Sequence, residues 1–194
     1  MVDAARDTKA RIMATSGQLF QRVGYTGTGL KRIAAEAEAP FGSIYHFFPG
    51  GKQQLASEVI RAEGRMYRDL VVEVLGQADD PARATEVAFA AAAARLVETD
   101  FADACPIATL ALEVASTNEP LRLATAEVFT DWIDTGAEWF RRWGYPKPAA
   151  RRLATGFIGA LEGAFVLARA LRSTEPLEAA KAAMLAAMAA EPRA

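Results

Sequence analysis

The chain has 194 residues, 52% of them apolar, which is ample for a buried core without covalent staples. A single cysteine, Cys105, excludes an intrachain disulfide, and a single histidine, His46, leaves too few soft ligands for a typical structural zinc site. The net charge of −2 hides a split: residues 1–68 hold ten Lys and Arg against six Asp and Glu, while residues 69–194 hold twelve against eighteen, as suits a small polyanion-binding head on a body that does not bind DNA.

From Asp3 to Val23 the apolar residues Ile12, Leu19, Phe20 and Val23 recur at helical spacing and Gly24 supplies a stop, so the first element is an amphipathic helix. The opening MVDAARDTKAR lacks the apolar run of a signal peptide, and no later stretch gives about 18 uncharged apolar residues, so a cytoplasmic protein is expected. Tyr25 to Gly27 reads as a loop and Thr28 as the N-cap of a helix carrying Leu30, Ile33, Ala34 and Ala37 inward; Lys31 stands where a capping box would need Glu. Glu38 and Ala39 make a turn, and Pro40 opens a third helix where its missing N–H costs nothing.

That third helix, to about Phe47, is short and contains Gly42, so it must be held by packing Ile44 and one aromatic of the Phe47, Phe48 pair onto Phe20 and Ile33. A glycine on its outer face allows a partner's backbone to approach closely. Thr28 to Lys52, TGLKRIAAEAEAPFGSIYHFFPGGK, therefore reads as a DNA-reading helix-turn-helix. Its second helix exposes small, aromatic and hydrogen-bonding side chains where a plain surface helix would carry Lys and Glu.

Phe48-Pro49-Gly50-Gly51 breaks the chain, after which Leu55, Val59, Ala62, Met66, Leu70 and Val74 repeat at three- and four-residue intervals to about Leu75. This fourth helix, on the order of 36 Å long at about 1.5 Å per residue, leaves the head and enters the body. Gly76 to Pro81 connects to an Ala-rich helix from Arg83 to Asp100. Phe101 to Cys105 interrupts, and Pro106 to Ser116 restarts a helix with Ile107, Leu110 and Val114. Asn118-Glu119-Pro120 breaks again before a long helix from Leu121 to Trp143, with Val128, Trp132, Trp139 and Trp143 near one face. Ala149 to Leu171 follows, and Pro176 opens a last amphipathic helix through Leu177, Met184, Leu185 and Met188. No stretch alternates with period two. The chain is expected to be all-α, with about nine helices and no sheet: a three-helix head over residues 1–52, a linking helix over 52–75 and a helical body over 76–194.

With these residues in hand the chain resembles the tetracycline-repressor (TetR) family of bacterial transcriptional regulators. The likeness lies in LFQRVGYTGT of the first helix, IAAEAEAPFGSIYHFF of the turn and third helix, and GGKQQL at the start of the fourth, and covers about residues 9 to 60. APFGSIYHFFPGGK, Cys105-Pro106 and the LEGAFVLARA stretch near Leu161 to Ala170 look most like its LmrA/YxaF-type branch. Two positions depart from the pattern. The turn carries Glu38 where glycine is usual, and Phe41 stands where members of this branch commonly place Lys.

The resemblance implies that Tyr45 and His46 project into the major groove to contact phosphate or base edges, with Gly42 and Ser43 near the groove floor, and that Phe41 is a DNA-binding position where the Lys of relatives would contact a phosphate. It implies a phosphate contact from the Thr28 hydroxyl, a base or backbone contact from Lys31, and a phosphate held by Lys52 and the helix start around it. Phe89, Phe129, Trp132, Trp139 and Phe165, with Phe140, Cys105 and Leu110, either line an apolar ligand cavity, as the resemblance implies, or are ordinary core or subunit interface. Cys105 itself reads as a small buried hydrophobe, with a redox or electrophile sensor as the other reading. Gly156, Gly159 and Gly163, with Ala160 and Ala164, would let another helix approach closely, and with Leu177, Met184 and Met188 of the last helix they suggest the family's four-helix dimer interface.

The expected function is a homodimeric repressor on a near-palindromic duplex operator, released by a small hydrophobic or aromatic effector. The rivals are a DNA-binding architectural protein without an effector, and an enzyme or small-molecule carrier with a vestigial head. Against an enzyme, the lone His and Cys and the absence of a nucleophile motif leave no assembled catalytic group. No cofactor, metal or membrane is expected.

Overall fold

The computed structural model describes residues 2–103 and 105–193, with side chains from Asp7 onward. Among the described residues it has nine helices and no strand: α1 (Val2–Val23), α2 (Leu30–Glu36), α3 (Phe41–Phe47), α4 (Gly51–Gly76), α5 (Pro81–Glu98), α6 (Pro106–Val114), α7 (Glu119–Arg142), α8 (Lys147–Leu171) and α9 (Glu175–Ala190). The all-helical expectation therefore stands, with boundaries moved by local capping. Asp80 accepts hydrogen bonds from the N–H groups of Ala82 (2.8 Å) and Arg83 (2.9 Å) with Pro81 in the first turn, so α5 starts before Arg83. The Asn118-Glu119-Pro120 segment opens a helix rather than merely breaking one, because Asn118 Oδ1 accepts from the Leu121 N–H at 3.2 Å and Pro120 falls in the first turn of α7.

The helices form two compact units that do not follow chain order. The first contains the described residues up to Arg65 together with Cys105–Val128. In it α3 packs against α1 and α2, and α6 packs along α1. Its core includes Ile12, Phe20, Ile33, Ile44, Phe48, Leu55, Ile60, Ile107, Leu110 and Leu121, all fully buried. The α4–α7 approach depends on Gly64: a Cβ there would lie 2.6 Å from both methyl groups of Val128, a β-branched side chain that has few ways to yield.

The second unit contains Met66 through residue 103 and Phe129 onward. Here α9 packs on α5 and α8 around a cluster that includes Phe89, Phe140, Tyr145, Phe157 and Ala168. Leu177, Met184 and Met188, expected at a subunit interface, belong to this core instead: each is at most 4% exposed. The Thr85 hydroxyl lies 3.4 Å from Met188 Sδ and the Tyr145 hydroxyl donates to the Met188 carbonyl, so the apolar stripe of α9 is consumed within the chain. The α5–α6 connector runs through two consecutive left-handed residues, Asp100 (φ 50°) and Phe101 (φ 58°), a strained pairing for side-chain-bearing residues. Arg169 holds it by donating to the carbonyls of Phe101 (3.2 Å) and Ala102 (3.1 Å), and Arg172 pairs with the Asp100 side chain.

One reading of a long helix is corrected. In α4, Leu55 and Val59 are buried as expected, but Met66 and Leu70 are about half exposed. The inward stripe beyond Arg65 runs through Tyr67, Val71 and Leu75, one position round the helix; apolar residues lie on both stripes, so periodicity alone does not choose between them. By length and composition α8 is the helix of the described residues apolar enough to cross a membrane, and most of its richest stretch is uncovered, but Arg152, Glu162 and Arg169 interrupt the helix, so the expectation of no long uncharged run is unaffected.

Candidate nucleic-acid interface

The α2–α3 corner turns without glycine. Glu38 takes a left-handed conformation (φ 49°), its N–H donates to the Ala35 carbonyl at 3.1 Å, and the Ala39 N–H reaches back to the Ala34 carbonyl at 2.9 Å, a paired helix-ending motif that glycine usually serves. Arg11 of α1 supports it, with Nε donating to the Ala37 carbonyl at 3.1 Å and an Nη to the Glu38 carbonyl at 3.5 Å. Left-handed backbone at a non-glycine residue costs on the order of 1 kcal/mol, so these bonds hold a corner that the local sequence disfavours.

Pro40 then caps α3, the Ser43 N–H donates to the Pro40 carbonyl at 2.9 Å, and the seven residues of α3 present two faces. Ile44 and Phe48, just beyond the helix, are buried, which selects Phe48 over Phe47 as the anchor. Phe41, Gly42, Tyr45 and His46 are exposed; Tyr45 is 50% accessible. The Phe41 and Tyr45 rings meet edge to face at 5.8 Å, and His46 packs edge to face on Phe47 at 4.9 Å. A Cβ on Gly42 would meet no other atom within 4 Å among the described residues, and its backbone is not left-handed, so nothing among them requires glycine there. Ser43 is half-buried, and Lys31 of α2 is exposed with no ion pair among the described residues.

Thr28 departs from its expected roles. The N-cap of α2 is Gly29, without a side-chain cap, and Thr28 is fully buried, its hydroxyl donating to the Gly24 carbonyl at 2.7 Å. That bond closes the loop after the left-handed Gly24, and it leaves the hydroxyl no surface for a phosphate. Lys52 is half-buried, with Nζ 4.3 Å from the centroid of the Tyr25 ring. Burial lowers its pKa from the ordinary lysine value, and the nearby Glu113 carboxylate partly offsets this.

Glu113 is the residue that local sequence reasoning missed. From α6 it accepts hydrogen bonds from the backbone N–H of Tyr25 (2.5 Å) and of Thr26 (2.6 Å), pinning the α1–α2 loop across a separation of 88 and 87 residues. Burial opposes its ionisation, but the Thr26 and Tyr25 hydrogen bonds and the Lys52 charge outweigh that, and its carboxyl sits below the usual range. No signal within either segment announces this pairing.

The residues expected around a ligand divide between the units. Cys105 and Leu110 are buried in the first, where Cys105 caps α6 by accepting from the Ala108 N–H at 3.5 Å. Phe89, Trp139 and Phe165 belong to the packed cluster of the second, Phe89 meeting Phe157 edge to face at 5.2 Å. Phe129 and Trp132 stand apart from that cluster as a half-exposed pair at 5.7 Å. On α8, Gly156, Gly159 and Gly163 are exposed; a Cβ at Gly159 or Gly163 would meet nothing within 4 Å, while one at Gly156 would sit 3.7 Å from Met184 Sδ.

Residues 12–59 match the family described as bacterial regulatory proteins, tetR family, and residues 81–183 match the C-terminal domain of LmrA/YxaF-like transcriptional regulators. The HTH-type transcriptional regulator YxaF of Bacillus subtilis is 33% identical over 88% of this chain and 90% of its own length. LmrA of the same organism, also an HTH-type transcriptional regulator, is 31% identical over 88% and 91%. A TetR transcriptional regulator from Chloroflexus aurantiacus superposes with a TM-score of 0.80 at 26% identity, covering 98% of each chain.

The Glu113 clamp makes a prediction about pH. Its carboxyl is held below its unfolded value, so its stabilisation is complete above the ordinary carboxylate range and disappears as pH falls through the lowered value. Glu113→Gln is expected to cost about 1 kcal/mol at pH 7, a figure at the low end for charged hydrogen bonds because the group is partly solvated. Denaturation curves of the two proteins should converge below about pH 4; a gap that stays constant with pH would rule the ionised clamp out.

Proposed function

We propose that this chain, which belongs to the tetR family of bacterial regulatory proteins, is a homodimeric repressor released from its operator by a small hydrophobic ligand. As a member of that family it is a DNA-binding transcriptional regulator and not an enzyme. Residues 1–52 act as the reading head and 76–194 as the effector-binding and dimerising body, in the cytoplasm. Phe41, Gly42, Ser43, Tyr45 and His46 face the major groove, with Lys31 and Lys52 toward the backbone. Repression follows from the family reading: a dimer seated on two successive half-sites, roughly 34 to 36 Å apart on a near-palindrome, blocks the DNA it covers.

The observation that carries the DNA-reading part is Gly42. The chain keeps a residue that weakens a short helix, at a position where its own packing leaves room for a side chain. Close approach of an external backbone accounts for that choice. Gly42→Ala should therefore stabilise the fold by about 0.5 kcal/mol while weakening operator binding tenfold or more. Tyr45→Ala should abolish binding with the fold intact. Electrophoretic shifts on the DNA upstream of the protein's own gene, paired with thermal melts, measure both; a Gly42→Ala protein that binds as tightly as the parent would refute the reading.

Dimerisation is supported by the uncovered face of the second unit. Gly159, Gly163, Val166 and Leu167 of α8 and Ala179, Ala183 and Ala186 of α9 are exposed, a run of small and apolar residues suited to close helix contact. Gly163→Arg adds a charged chain where nothing in the subunit obstructs it. Sedimentation should find the parent as a dimer and this variant as a folded monomer; a parent that sediments as one subunit would exclude the assembly.

The effector reading rests on the half-exposed Phe129 and Trp132 pair, an apolar and aromatic surface in the body. α4 and α7 each begin in one unit and end in the other, so both are continuous elements; α4, which follows directly on the reading head, is the one that would carry the change, through a coupling of about 1 to 3 kcal/mol. Thermal-shift screening with hydrophobic aromatic compounds should find a stabiliser that also releases DNA. A screen without one would favour an architectural protein instead.

A further inference from the structure

Phe41 is an exposed aromatic for which the fold has no use. It opens α3, is 42% accessible, and among the described residues its ring contact is the edge-to-face pairing with Tyr45 one turn on. The buried anchors of this corner are Ile44 and Phe48, and the neighbouring Gly42 is clear on its outer side. Exposed Phe in the reading face has neither donor nor acceptor, so it cannot distinguish bases through the hydrogen-bonding pattern that separates the four pairs in the major groove. Of the groups displayed on that floor, one is apolar: the 5-methyl of thymine.

We propose that Phe41 reads thymine, its ring packing on the 5-methyl group of one thymine in each operator half-site. The inference rests on the DNA-reading function proposed above and adds a chemical identity to one position of the operator. Tyr45 contributes by holding the ring: the two side chains, four residues apart on one face, meet at an interplanar angle of 79°, which restricts the Phe41 rotamer before DNA arrives. Their Cα atoms are separated by about 6 Å along the helix axis, less than two base-pair steps of about 3.4 Å. The thymine read by Phe41 should thus lie within two base pairs of the position facing Tyr45.

The test removes the methyl and nothing else. Duplexes that bind the full-length protein are first selected from a randomised pool. Each thymine of the selected site is then replaced in turn by deoxyuridine, and affinity is measured by fluorescence anisotropy at fixed salt. One thymine per half-site should show a loss of about fourfold, the size expected for one buried methyl, and about an order of magnitude when both half-sites are changed. In Phe41→Ala, an exposed change whose folding is checked by thermal melt, the same replacement should have no effect. A selected site in which no thymine shows the loss, or a loss that persists unchanged in Phe41→Ala, overturns the thymine assignment while leaving DNA reading intact. A pool that yields no enriched sequence overturns the DNA-reading premise, and this inference with it.

Discussion

Everything the reading head presents depends on burying two side chains. α3 has seven residues, includes a glycine, and is far too short to persist alone. Ile44 and Phe48 are both fully buried against the rest of the head, and their burial orients the opposite face, where Phe41, Gly42, Tyr45 and His46 sit. At about 2 kcal/mol for each large apolar side chain, such anchors exceed what propensity withholds from so short a helix. The helix exists because of its inner face, and the DNA-reading role proposed above falls to its outer one.

The corner before α3 and the loop before α2 show how non-local groups complete what the local sequence leaves unfinished. Glu38 turns in a conformation that glycine would adopt more cheaply, and Arg11 bonds the carbonyls around it. The loop after Gly24 is closed from within by the Thr28 hydroxyl and from outside by the Glu113 carboxylate. Lys52 lies on the Tyr25 ring beside that carboxylate, so the start of α4, the α1–α2 loop and α6 share one electrostatic neighbourhood.

Much of this was legible in the sequence, and the remainder fails for identifiable reasons. Helix number and order follow from three- and four-residue spacing cut by glycine and proline, and the outward set on α3 follows from side chains that no buried or plainly solvated helix would carry. Beyond Arg65 the inward stripe of α4 is not legible, because Met66 and Leu70 compete with Tyr67, Val71 and Leu75 and periodicity cannot rank two apolar faces. Leu177, Met184 and Met188 suggest an interface in the sequence because a Leu and Met stripe looks the same whether it faces another subunit or α5 and α8, which here bury it. Thr28 escapes sequence reasoning because a threonine before a helix caps it more often than it folds back on the preceding loop. Glu113 could not be anticipated, since its two hydrogen bonds join segments nearly half the chain apart.

The interleaving of the first unit has a consequence for how such proteins can be recombined. Its core draws Ile107, Leu110, Val114 and Leu121 from a segment that arrives forty residues after the first stretch has ended. A chimera cut once after Arg65 would graft a foreign head onto a resident α6, leaving the acceptor's Glu113 to meet a loop it was not matched with. Transplanting the intact head between relatives therefore requires a discontinuous graft that moves Cys105–Val128 along with the leading helices; under the reading role proposed for α3, an exchange confined to its outward side chains is the more economical route.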